Sequence, residues 1–96
     1  MKLVIISYRF EFSDKIEFFL EKHNIGNFVR LSRVEASDAD GKHYGTKVYP
    51  SHGSVVQAQV PEKQLKEFLT DLETFKHEED SHKHLSALVL PVENQV

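Results

Sequence analysis

The chain has six histidines and no cysteine, so any transition-metal chemistry would rest on imidazole and carboxylate. His43 and His52 lie in a long polar connection. His77, His82 and His84 lie in the run KHEEDSHKH, among Glu78, Glu79 and Asp80. Imidazole suits zinc, copper and nickel, and carboxylates add harder oxygen ligands. On a continued helix Glu78 and His82 would share a face at i, i+4. On extended backbone His82 and His84 would point to one side. Either geometry would offer two ligands to a divalent transition metal, which makes His43, His52, His77, His82 and His84 the candidate ligands. A second reading stands beside this one. KHEEDSHKH is also what a solvated helix end looks like, with histidine and lysine favoured by the helix dipole and acids keeping the turn in water. His23 reads as a half-buried cap on an earlier helix.

The connection from Arg33 to Gly53 holds three of the four glycines and two of the three tyrosines. Connections longer than about 12–15 residues are usually functional or disordered, and loops on a rigid scaffold are where ligands are met. Gly41 and Gly45 allow close backbone approach to an anion, with Arg33, Lys42, His43 and Lys47 as its candidate contacts. Turn chemistry alone would also explain the glycines. Arg30 and Arg33 suit ion pairs, and a ligand contact between subunits is the alternative for both. Catalysis has weak support, with no Ser-His-Asp order, no Walker loop and no HExxH, and a small ferredoxin-fold enzyme is the third reading. The expectation is a protein that is not an enzyme.

The 96 residues fit one domain with a modest core, at 40% apolar content. A net charge of −3, with both signs mixed along the chain, argues against a nucleic-acid partner. The absence of cysteine removes disulfides and thiolate sites. No apolar run approaches a membrane span, and no signal-peptide pattern follows Met1. The expected location is the cytoplasm.

The elements that must position these residues can be read in order. KLVIISY (Lys2–Tyr8) is apolar on both alternations, a strand buried on both faces. Ser13 is placed to cap a helix over Ser13–Asn24, and Gly26 to end it. Phe28–Glu35 reads as a second strand and Ser54–Val60 as a third. Pro61 opens a second helix, whose stripe is Leu65, Phe68, Leu69, Leu72 and Phe75. Leu85–Val92 closes the pattern. The order β-α-β-loop-β-α-β gives an α+β ferredoxin-like fold, a four-stranded antiparallel sheet with both helices on one face. The helix-free face, assigned here to Val4, Ile6 and Tyr8, would then be covered by other copies.

In this order the chain resembles the PII-like signalling proteins, especially short members encoded near heavy-metal efflux systems. The features that carry the resemblance are the opening KLVIISY, the helix ending in HNIGNFVR, the segment GKHYGTKVYPSHGSVV and the closing HLSALVLPVE. The resemblance implies a homotrimer with ligand sites at the clefts between subunits. It also implies a T-loop at the long connection, able to change order and meet a partner such as a membrane transporter. ATP-binding PII proteins carry a glycine-rich turn before the last strand and basic residues after it. Here that stretch is KHEEDSHKH, with no glycine and three acids. Glycine lets backbone amides approach phosphate and carboxylates repel it, so ATP held in the PII manner is not expected. The expected function is small-ligand or metal sensing, linked to metal homeostasis or transport. The alternative is a CutA-like metal-binding tolerance protein that buffers divalent cations.

Overall fold

The computed structural model describes residues 1–34, 37–38, 41–42 and 53–96. Strand β1 (Lys2–Arg9) leads through a 3-10 turn (Phe10–Phe12) into helix α1 (Ser13–Lys22). β2 (Phe28–Val34) follows. Within the long connection Ser37–Asp38 (β3) pairs antiparallel with Gly41–Lys42 (β4). β5 (Gly53–Val60) leads to helix α2 (Glu62–Glu78), a second 3-10 turn (Asp80–His82) and β6 (Ser86–Pro91). The main sheet is antiparallel in the order β2-β5-β1-β6. This is the expected ferredoxin-like α+β fold.

One assignment is corrected. Val4, Ile6 and Tyr8 do not face away from the helices: all three are fully buried in the core with Ile16, Leu20 and Phe68. Registers explain why. Val4 lies opposite Ala58 and Ile6 opposite Val56, and β5 is continuously apolar on the alternation Val56, Ala58, Val60, whereas the other carries Gln57 and Gln59 beside Val55. A shared pleat puts opposed residues on the same face. The helix-free face is therefore built from the other alternation: Leu3 and Ile5 of β1, Val29 and Leu31 of β2, Val55 of β5, and Leu88 and Leu90 of β6. Val29 is 56% and Leu88 64% exposed there.

Helix ends also differ in detail. Ser13 does not cap α1 through its side chain; the preceding 3-10 turn supplies the entry, and Ser13 Oγ donates to the Phe10 carbonyl at 2.7 Å. The left-handed residue that ends α1 is Asn24, with φ 57°, not Gly26. Asn24 N–H donates to the Glu21 carbonyl and Ile25 N–H to the Leu20 carbonyl, both at 2.9 Å. This is a Schellman closure, with Ile25 and Leu20 both buried as its apolar contact. Asparagine tolerates the left-handed region better than other side chains do. α2 continues to Glu78, past the end of its apolar stripe, with Lys76 and His77 in its last turn where the dipole favours them.

The helical layer is joined through aromatic rings. Phe19 meets Phe68 edge-on at 5.1 Å between centroids, and His23 meets Phe68 at 5.3 Å. His23 is buried rather than half-buried. Its Nε2 stands 3.0 Å from Asp71 Oδ2, and its carbonyl accepts from Gln64 Nε2 at 2.9 Å. One residue at the end of α1 thus ties both ends of that junction to α2.

Candidate functional site

Strand directions gather one set of ends together. Arg9 lies opposite Gly53, Val34 opposite Gly53, and Ser7 opposite Ser86. Both roots of the long connection, the junction from β1 into α1, and the segment from α2 into β6 therefore share one end of the sheet. The sequence candidates fall at this end or in the connection rising from it. His43, Gly45, Lys47 and His52 lie outside the described residues, while Gly41 and Lys42 form β4.

Arg33 occupies a special position at one root. The register passes from Ser32 opposite Ser54 to Val34 opposite Gly53, so Arg33 is the extra residue of a β-bulge. Its φ is 61°, in the left-handed region. A non-glycine residue held there costs about 1–2 kcal/mol, and bulges beside functional sites re-aim side chains. Arg33 is exposed and has no ion-pair partner among the described residues, whereas Arg30 on the same strand pairs with Glu17. The expectation of ion pairs thus holds for Arg30, and among the described residues Arg33 shows none.

The histidines of KHEEDSHKH are not gathered. Neither backbone condition for pairing them is met: α2 ends at Glu78, and residues 80–82 form a 3-10 turn. His77 is exposed on α2 and His84 is half-buried. His82 is 2% exposed. Its ring stacks on Phe75 at 4.2 Å and meets Phe12 edge-on at 4.7 Å. Its Nδ1 lies 2.8 Å from the Phe75 carbonyl. A carbonyl only accepts, so Nδ1 carries the hydrogen. Nε2 faces Glu79 Oε2 at 3.4 Å. His82 is thus a packing residue that pins the second 3-10 turn to α2 and to the first turn. Among the described residues no group of three histidine, aspartate or glutamate side chains is arranged to hold a metal ion.

A feature the sequence did not reveal lies beneath the loop roots. Tyr8 is fully buried, with its hydroxyl beside those of Ser13 and Ser54 but in good hydrogen-bond alignment with neither. Burial pushes its ionisation above the ordinary 10.0, against smaller opposing effects of Ser13, the Arg30 charge and Ser54. The polar end of Tyr8 was legible only as the last letter of an apolar strand.

Arg33 and the acidic turn share an end of the sheet. Arg33 lies on the edge strand β2, whereas Glu78, Glu79 and Asp80 lie at the end of α2 and in the turn that leads to the other edge strand, β6. None of the carboxylates of Glu78, Glu79 and Asp80 is in an ion pair with Arg33.

No family model and no curated relative matches the sequence. Solved structures do. CPII from Thiomonas intermedia K12, a nitrogen regulatory PII-like protein bound to ADP, AMP and bicarbonate, superposes with a TM-score of 0.72 at 13% identity, over 92% of this chain and 81% of that one. A DUF3240 family protein from Shewanella baltica OS155 gives 0.67 at 14% identity, over 99% and 92%. A protein from Thermus thermophilus described as PII-like and signalling gives 0.63 at 16% identity, over 92% and 80%. Among the described residues no helix is long and apolar enough to cross a membrane. A bulged arginine at the root of a long connection, on a four-stranded sheet with two helices on one face, thus sits on the fold of the PII-like proteins.

Proposed function

We propose that the chain is a PII-like regulatory protein, a homotrimer that takes a small anion at the clefts between subunits. Residues 35–52 would report the bound state to a partner, with a membrane transporter as the proposed class. The observation that carries the reading is Arg33: an exposed arginine with no ion-pair partner among the described residues, held in a strained bulge at the root of the connection. Strain of this kind marks places where geometry serves a ligand. The proposed ligand class is bicarbonate or a nucleotide mono- or diphosphate, which the solved neighbour CPII holds. The three acids before β6 disfavour a triphosphate. The role is regulatory, so the ligand should be recovered unchanged after binding.

Calorimetric titration with bicarbonate, AMP, ADP, ATP, zinc and copper tests this. Binding of bicarbonate, AMP or ADP that falls at least about tenfold in Arg33→Ala, a loss of some 1.4 kcal/mol, is the expected result. Anion binding indifferent to Arg33 would sink the proposal. A link to metal homeostasis would show as metal binding lost in His43→Ala/His52→Ala. Stoichiometric metal binding that survives that change and disappears in His77→Ala/His84→Ala would instead favour the metal-buffering alternative.

A further inference from the structure

On the solvent side of the helical layer α1 and α2 leave a groove of about 460 Å³ between them. Phe19 and Phe75 lie at its floor, and Phe18 projects beside it at 67% exposure. The helices run antiparallel, since Lys15 reaches Glu79 at one end while His23 reaches Asp71 at the other. The charges on the two walls follow a pattern. Lys15 and Lys22 stand on the α1 wall, which also carries Asp14 and keeps a net positive charge, and Glu78 and Asp71 stand across from the two lysines on the α2 wall. Each pair is seven residues apart, or about 10.5 Å along its helix. The groove thus has two rungs, each with a cation on one side, an anion on the other, and aromatic surface between. Lys22 and Glu78 have no ion-pair partner among the described residues.

We infer that this groove docks an amphipathic helix of a partner protein. That helix would carry apolar residues at i, i+3/i+4 and i+7, an acidic flank and a basic flank. Helix-in-groove recognition reads apolar anchors at this spacing, and flanking charges seven residues apart set pairing and orientation as they do in coiled coils. A split-charge helix can satisfy the walls in one direction only, with its acidic flank over α1. A helix with both flanks of one sign meets repulsion at one wall whichever way it lies. The site is on the opposite side of the molecule from the open sheet face, so this inference stands independently of the ligand and trimer proposed above.

Three designed peptides of about four helical turns test it. They share one apolar face and carry split, all-acidic or all-basic flanks. Their binding to isotope-labelled protein is followed by amide shifts, with a spin label at the peptide N-terminus to report direction. The split-flank peptide should bind at least about tenfold more tightly than the other two. Its shifts should fall on Phe18, Thr74 and Phe75, and the label should broaden the end of the groove that puts the acidic flank over α1. In Lys15→Glu/Lys22→Glu, two exposed changes that leave the core untouched, the split-flank peptide should lose that advantage and the all-basic peptide should gain it. Equal binding of all three peptides would overturn the inference. So would shifts centred on Leu31 and Leu88, or no shift at millimolar peptide.

Discussion

Arg33 places stability and function in opposition at a single residue. Its left-handed backbone conformation is one that glycine adopts without steric cost. Arg33→Gly should therefore raise stability by about 1 kcal/mol, seen as a higher urea midpoint with an unchanged slope. The same variant should lose the anion binding proposed above. A drop in stability would mean that the bulge is held by contacts of the Arg33 side chain and not against its backbone preference. Tyr8 gives the pH prediction. Its folded ionisation lies above 10.0 because burial disfavours the phenolate. Above that pH the unfolded chain has released a proton that the folded chain keeps. The Tyr8 contribution is therefore complete below pH 10 and is lost as pH rises through the folded value. Tyr8→Phe should show a shallower alkaline decline than the parent protein in urea midpoints measured from about pH 8 to 11. Parallel declines would mean that the phenol ionises folded as it does unfolded.

Among the elements, the two 3-10 turns and the end of α2 behave as one unit because His82 joins them. His82→Ala should cost about 2–4 kcal/mol, through the cavity it leaves and the carbonyl of Phe75 left unpaired. His77→Ala, on an exposed helix face, should stay within about 0.5 kcal/mol. Equal small effects, read from thermal or urea unfolding, would remove the structural role given to His82. This is also where the sequence was least legible. The two helices, and the four strands of the main sheet to within a residue or two, followed from apolar spacing and from Pro61. The facing of β1 did not, since KLVIISY is apolar on both alternations and only its register with β5 decides the matter. His82 was hidden for a different reason: its neighbours in sequence are charged, while the rings that bury it come from residues 12 and 75. Arg33 was picked out by its charge and its place at the root of the connection. Its bulge had no glycine to announce it.

At the scale of the whole molecule, the layer of helices covers only one side of the sheet. The other side presents Val29, Leu31, Leu88 and Leu90 to solvent, on two edge strands with Leu3, Ile5 and Val55 between them. A chain of 96 residues has little apolar surface to spare, and exposed patches of this kind mark interaction sites. Three copies with these faces turned inward would bury them while leaving the loop-root ends and the helical grooves outward. Each leucine removed from water there would contribute about 1.5–3 kcal/mol. Leu31→Glu/Leu88→Glu should therefore convert the proposed trimer to monomers in sedimentation velocity. Far-ultraviolet circular dichroism should be retained, because neither side chain contributes to the core of its own protomer. If the proposed ligand lies between subunits, the same variant should lose anion binding although Arg33 is intact. Retained binding by a monomer would place the ligand within a single chain. A parent protein that sediments as a monomer at every concentration would remove both the trimer and the cleft built on it.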